Sequence, residues 1–182
     1  MRLQDITEGR DAPLYHGTKM VSLLSILYHD SLDKGMYWNR PGEPDGPRLS
    51  RAFVTAWSFS EDDGEGRDGA VLELNQTLLA QRYRIVPYAD VDGQGENWSN
   101  ESEEVVVTKA IAPLSKYLTG IYIPHAAIQA ILTDPEQMEW WAEVELAAMY
   151  PTADHIEQAL LNLSRHPLRK DMDNFMSHTG PR

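Results

Sequence analysis

The segment Leu14-Tyr15-His16-Gly17-Thr18 limits the folds open to this chain more than any other stretch. It reads as a short strand, and apolar residues at helical spacing begin directly after it at Met20. Because glycine lacks a Cβ, a ligand can approach the backbone N–H and C=O of Gly17 closely. The ring of His16 would stand beside that backbone. The segment therefore predicts half of a recognition site for a planar amide or a ribose hydroxyl.

A carboxylate cluster far along the chain is the candidate for the other half. Glu101, Glu103 and Glu104 run directly into Val105-Val106-Val107, and consecutive valines favour a strand buried on both faces. Each half is weak evidence alone, since a histidine in a strand is more often structural and an acidic run is usually solvated. The two halves together, in this order along the chain, are stronger evidence for a site than either half alone.

Composition excludes several classes of protein. The chain has 182 residues, 42% of them hydrophobic, which is enough for one domain with a single core. Its formal charge of -12 disfavours general nucleic-acid binding, and the absence of cysteine excludes disulfides and thiolate metal sites. No apolar leader and no run near the ~18 residues of a membrane span is present, so we expect a cytoplasmic protein that does not contact membrane.

The hydrophobic pattern predicts a single α+β domain over residues 1–166, with a polar tail at 167–182. The core covers about residues 12–124. Strands are expected at 48–51, 70–74, 82–86, 104–108 and 118–123, and helices at 20–28, 125–132, 134–149 and 154–165. The helices within 134–165 should dock through two apolar sets: Ile156, Leu160 and Leu163, and Trp140, Trp141, Val144 and Leu146.

Metal and phosphate motifs are not convincing. The loop from Asp90 to Glu101 imitates a calcium-binding loop, but its flanks are strand-like where that motif needs helices. The histidines show no metal-binding spacing, and no phosphate-binding glycine loop or Gly-x-Ser-x-Gly elbow is present. We therefore predict no metal.

The pairing of Tyr15-His16-Gly17-Thr18 with a late Glu-x-Glu before a strand resembles the ADP-ribosyltransferase fold, in the branch typified by diphtheria toxin and the poly(ADP-ribose) polymerases. Small bacterial and bacteriophage proteins of this fold also have a similar order of segments, which here are Leu49-Ser50-Arg51, 70–74, 103–105 and 116–121. The resemblance covers about residues 12–124. It implies a split β-sandwich with flanking helices, to which the C-terminal helices are added. It also implies a bacterial or phage source, and a phage protein would act in the cytoplasm of the host cell.

The resemblance also implies NAD as the substrate and an ADP-ribosyltransferase activity toward an acceptor that we expect to be a protein. His16 would bind a ribose and Gly17 the nicotinamide carboxamide. Glu103 or Glu104 would stabilise the positive charge on the ribose. Pairing with Glu101, which would position the acceptor, slightly favours Glu103, whereas adjacency to the valines favours Glu104.

The remaining NAD contacts implied by the resemblance come from the first strand and from the region after the first helix. Arg48 or Arg51 would hold the diphosphate, because a guanidinium fork suits phosphate oxygens, and Trp57 or Phe59 would stack on nicotinamide. The full expected set is Tyr15, His16, Gly17, Thr18, Arg48, Ser50, Arg51, Trp57 and Phe59.

Two alternatives stay open. One is a catalytically silent domain of the same fold that binds a protein partner through its acidic surface. The other is an NAD-dependent RNA 2'-phosphotransferase, which needs several basic residues around the site, where only Arg48 and Arg51 are well placed.

Overall fold

The computed structural model describes residues 12–35, 44–58, 60, 69–87 and 103–172. Within these residues the strands are β1 (Pro13–Lys19), β2 (Leu32–Asp33), β3 (Arg48–Ser50), β4 (Gly69–Asn75), β5 (Ile85–Pro87), β6 (Glu103–Val106), β7 (Ala110–Ile111), β8 (Leu118–Ile123) and β9 (Arg169–Asp171). The helices are α1 (Met20–His29), α2 (Phe53–Ser58), α3 (Gln76–Ala80), α4 (His125–Leu132), α5 (Pro135–Trp140) and α6 (Ala153–Ser164). A 3₁₀ turn covers Leu114–Lys116, and a π-helical turn covers Trp141–Glu145.

A seven-stranded mixed sheet in the order β5-β6-β3-β1-β4-β8-β9 organises the fold, and β2 and β7 form a separate small pair. Neighbouring strands of the sheet are antiparallel, except β8 and β9, which are parallel. Strands with helices added around them make the chain mixed α and β, in agreement with the α+β class expected from the sequence.

The two faces of the sheet carry different side chains, because successive residues of a strand point to opposite sides. On one side, which we call the core face, Leu14 of β1 pairs with Leu74 of β4, and both lie in the main hydrophobic core. On the other side, which we call the α2 face, Val71 and Tyr122 pack with Phe53 of α2.

The C-terminal helices dock as expected, although they are not the two helices that the sequence predicted. Ile156, Leu160 and Leu163 of α6 are buried in the main core, which confirms that part of the prediction. Trp141 and Leu146 are also buried.

The expectation that Trp140 and Val144 would also be covered was wrong, because their exposed fractions are 51% and 60%. The predicted helix 134–149 ends as an α-helix at Trp140, and the backbone N–H of Leu146 donates to the C=O of Trp141 at 2.7 Å in a wider π-helical turn. This turn places Leu146, five residues after Trp141, in the core and leaves Val144 in solvent. Trp140 precedes the turn and faces away from its buried neighbours Met138 and Trp141.

The predicted polar tail was wrong at its start. Arg169–Asp171 pairs with β8 as an edge strand of the sheet, and Met172 is buried. Lys170 holds this strand in place, since its Nζ lies 2.9 Å from Glu73 Oε1 on β4. Its side chain passes close over Gly120, where an added Cβ would lie 3.0 Å from the Lys170 Cε. Residues 173–182 lie outside the described part of the chain.

Other differences concern element boundaries. The strand expected at 82–86 is observed as Ile85–Pro87, and the β2–β7 pair was not anticipated. No helix in the described residues is both long and apolar enough to span a bilayer.

Gly17 is required by close packing, which yields a stability prediction. An added Cβ would lie 1.7 Å from the Ala56 carbonyl oxygen of α2, and this backbone atom cannot rotate away. Gly17→Ala should therefore destabilise the protein by about 1–3 kcal/mol, the usual cost of overpacking, and lower its melting temperature by several degrees.

Gly120→Ala is the matched control, because the atoms met there belong to the flexible end of Lys170. Thermal unfolding of both variants should show the larger loss for Gly17→Ala. Equal melting temperatures for the two variants would contradict the packing argument.

Candidate functional site

The two halves predicted from the sequence come together in one sheet. β3 lies between β1 and β6, with Tyr15 opposite Ser50, and Ser50 opposite Glu103. The segment around His16 is thus separated from the acidic strand by a single short strand. The prediction that these strands are near neighbours is confirmed.

Strand register decides which acid shares a face with His16. Tyr15 and Ser50 are direct partners, so their neighbours His16 and Leu49 both lie on the other face of the sheet. Leu49 pairs with Glu104, and His16 pairs with Leu72 on the core face. His16 and Glu104 therefore share the core face, while position 103 lies on the α2 face beside Ser50.

His16 is held in a defined tautomer. Its Nδ1 lies 3.1 Å from the backbone oxygen of Arg48, and because a carbonyl only accepts, Nδ1 carries the hydrogen. Burial of the ring lowers the pKa of His16, and the bond to Arg48 opposes this shift only in part, although some of the residue's surface stays accessible. The neutral ring then offers Nε2 as an acceptor, which suits a ribose hydroxyl.

Glu104 is held by Arg51. The Arg51 Nε–H donates to Glu104 Oε1 at 2.6 Å, and the Arg51 Nη2 lies 2.6 Å from the same oxygen as an ion pair. The Glu104 side chain is 6% exposed and that of Arg51 is 40% exposed. The carboxylate is thus fixed and largely buried, and its cation reaches the surface.

Aromatic residues fill the α2 face. Phe53 packs edge-on against Tyr15 at 5.5 Å and against Tyr122 at 4.9 Å between ring centroids. Trp57 lies over the start of β4, where an added Cβ at Gly69 would be 2.8 Å from its ring. Trp57 therefore packs on the opposite face from His16, and Phe59, the other expected stacking residue, lies outside the described residues.

Sequence reasoning missed a polar network on the α2 face. Glu73 accepts hydrogen bonds from Tyr122 Oη at 2.6 Å, Thr119 Oγ1 at 2.8 Å and Lys170 Nζ at 2.9 Å. Burial raises the pKa of Glu73, but these three bonds outweigh it and lower the pKa overall. A lone charged residue in the apolar strand Ala70-Val71-Leu72-Glu73-Leu74 was the signal for this network.

The same network reaches Tyr15. Burial, aided by the negative charge of Glu73, raises the pKa of Tyr15 to about 12, so this phenol stays protonated at neutral pH. Burial and the bond to Glu73 also raise the pKa of Tyr122. The Tyr122 hydroxyl donates to Glu73 and accepts from Lys170 Nζ at 3.2 Å.

The other expected site residues are placed as follows. Thr18 is buried at the end of β1, opposite Ala70, and Ser50 is 2% exposed with its Oγ accepting from the Ala52 N–H. Glu101, the loop that imitates a calcium site, and the side chain of Glu103 lie outside what the structure describes. In the described residues, no group of three or more His, Asp or Glu side chains is arranged to hold a metal ion.

Comparison with known proteins finds no matching family, no matching curated protein and no matching solved structure.

The neutral state of His16 leads to a pH prediction. The pKa of His16 in the folded protein lies below the ordinary histidine value of 6.5. As pH falls through 6.5, His16 therefore takes up a proton in the unfolded chain before it does so in the folded protein. The stability that this residue contributes is therefore complete above pH 6.5 and is lost as pH falls further. His16→Gln should make the free energy of unfolding less dependent on pH.

Urea unfolding of the wild type and of His16→Gln, from pH 7 down to about 5, checks this expectation. Because the other histidines are common to both proteins, the difference between the two curves reports on His16. Parallel curves would mean that the ring is not held neutral in the folded protein.

Proposed function

We propose that the protein is an NAD-dependent ADP-ribosyltransferase that transfers ADP-ribose to a macromolecular acceptor, with a split β-sandwich of the ADP-ribosyltransferase type. The observation that carries this proposal is the position of His16 and Glu104 on the same face of the sheet, with one strand between them. Neither group alone supports the chemistry, and the register brings them to one surface.

The pairing of β1 supports a site at Gly17. β1 pairs with β4 from Pro13 to Lys19, whereas its ladder with β3 consists of the Tyr15–Ser50 pair. Beyond that pair the His16 ring bonds to the Arg48 carbonyl. A strand that leaves its neighbour at a glycine offers backbone amide groups to a flat carboxamide, which is what nicotinamide presents.

In the proposed reaction, the bond between the nicotinamide nitrogen and the ribose carbon breaks, and nicotinamide leaves with the electron pair. The acceptor's nucleophile then bonds to the positively charged ribose carbon and releases its proton. Glu104 would oppose the developing positive charge. At ~4 Å and an effective dielectric of ~20, the attraction is about 4 kcal/mol.

Arg51 would have two roles in this site. The hydrogen bond from its Nε and the ion-pair contact from its Nη2 hold the Glu104 carboxylate in one orientation. The remaining N–H groups of this 40% exposed side chain are suited to the oxygens of the NAD diphosphate. Arg51 would thereby couple binding of the diphosphate to the position of the acid.

A catalytically silent domain is the second candidate, and the same ion pair favours it. Glu104 is nearly covered, and Arg51 already balances its charge. A buried carboxylate whose charge is balanced by an arginine is also found in ion pairs that are purely structural.

Separate Glu104→Gln and Glu103→Gln variants test the proposal. Gln keeps the size of the side chain and removes its charge, so Glu104→Gln should lower kcat for nicotinamide release from NAD by about 10²-fold or more. NAD affinity should change little, because the ground-state ribose offers no full charge to the carboxylate. Glu103→Gln should keep most of the activity.

Melting temperatures of both variants serve as the folding control, since Glu104→Gln also alters the pair with Arg51. Loss of turnover in Glu103→Gln instead would support the spacing argument for Glu103. If the wild type releases no nicotinamide in the presence of cell lysate and saturating NAD does not raise its melting temperature, the silent domain is correct. Saturation at 100-fold above Kd should add about 2.7 kcal/mol of stability.

A further inference from the structure

A cavity of about 640 Å³ lies between α1, the 3₁₀ turn and α6. Its walls are mostly apolar, with Leu24 from α1, Leu114 from the 3₁₀ turn and Leu163 from α6. Sites for small molecules typically have volumes of about 300–1,000 Å³ and apolar walls with a few polar groups. The size and lining of this cavity therefore fit a small organic ligand.

Two tyrosines stand together at this cavity. The rings of Tyr28 and Tyr150 meet edge to face, with centroids 5.4 Å apart, and both residues line the cavity. Tyr28 is 54% exposed, so its ring is open to a ligand entering from solvent. Aromatic faces carry partial negative charge and attract cations.

Asp30 gives the cavity its charge. Among the described residues that line it, Asp30 is the only one with a formal charge when histidine is neutral. Its carboxylate is held in place, because Oδ1 accepts from the Ser115 N–H at 2.6 Å and Oδ2 from the Ser115 hydroxyl at 2.9 Å. Asp30 also caps the C-terminal end of α1, where the helix dipole contributes further negative potential.

We propose that this cavity binds an organic cation, an ammonium or guanidinium group carried on an apolar body. The apolar body would occupy the leucine-lined volume, while the charged group would lie near Asp30 and the tyrosine rings. An anion would be repelled by Asp30, and a neutral hydrocarbon would gain nothing from it. The net charge of -12 raises the local concentration of cations around the protein.

The cavity is separate from the site around His16. β1 leads into the N-terminal end of α1, and Asp30 follows its C-terminal end. An α-helix of this length spans about 15 Å. Binding of the cation therefore does not depend on the proposed NAD chemistry and is tested without it.

The experiment is a titration of the isotope-labelled full chain with benzyltrimethylammonium, followed by amide NMR at physiological salt. The largest shifts should fall on Ser115 and on Tyr28 to Asp30. Neopentylbenzene, in which carbon replaces the charged nitrogen, should bind at least 10-fold more weakly, and benzenesulfonate should not bind. Equal binding of the cation and its neutral isostere, or shifts located elsewhere, would overturn the proposal.

Asp30→Asn is the decisive variant, because an amide oxygen can still accept from Ser115 while the charge is removed. It should weaken binding of benzyltrimethylammonium at least 10-fold. Asp154→Asn removes an equal charge from α6 at a position outside the cavity lining, and it should leave binding unchanged. If both variants lose affinity for benzyltrimethylammonium equally, the effect comes from general surface charge, and the proposed site at Asp30 is wrong.

Ala159→Phe provides a second route if Asp30→Asn does not fold. Ala159 lines the cavity on α6, so a phenyl group there should fill the volume and abolish binding. Undiminished binding in Ala159→Phe would place the cation outside the cavity and contradict the proposal.

Discussion

The unequal pairing of β1 is the constraint on which the rest of the structure depends. Along one edge, β1 is paired with β4 from Pro13 to Lys19. Along the other edge its ladder with β3 consists of the Tyr15–Ser50 pair. The long ladder with β4 fixes the side-chain directions along β1, and on the β3 side the His16 ring bonds to the Arg48 carbonyl.

Two ion pairs, one toward each end of the sheet, join its strands. Arg51, which follows β3, holds Glu104 of β6, and Lys170 of β9 holds Glu73 of β4. Moving a carboxylate out of water is costly unless a cation and hydrogen bonds accompany it, so each pair disfavours any register that separates its partners. The cations of the two pairs are 40% and 41% exposed, so water screens them and each pair adds little net stability. Their main effect is therefore on strand order.

Much of the candidate site was accessible from local patterns. The Tyr15-His16-Gly17 segment and the valine strand were located correctly, because β-branched residues and a glycine before an apolar helix are local signals. The Glu73 network was missed because its partners come from β8 and β9, and no local pattern announces that Lys170 will pass over Gly120. The short strand β9 was likewise hidden in a polar segment, since an edge strand with long charged side chains has little hydrophobic periodicity.

The amino-acid order alone determined the α+β composition, the strands that carry the candidate groups and the apolar face of α6, because each of these depends on residues close together in the chain. It left open which of Glu103 and Glu104 faces His16. Only tertiary structure decided this, since neighbouring residues point to opposite faces and a shift of one residue in the pairing of β3 would exchange them. It also decided that Val144 stays exposed while Leu146 is buried, because a single π-helical turn changes the phase of a helix in a way that hydrophobic spacing does not record.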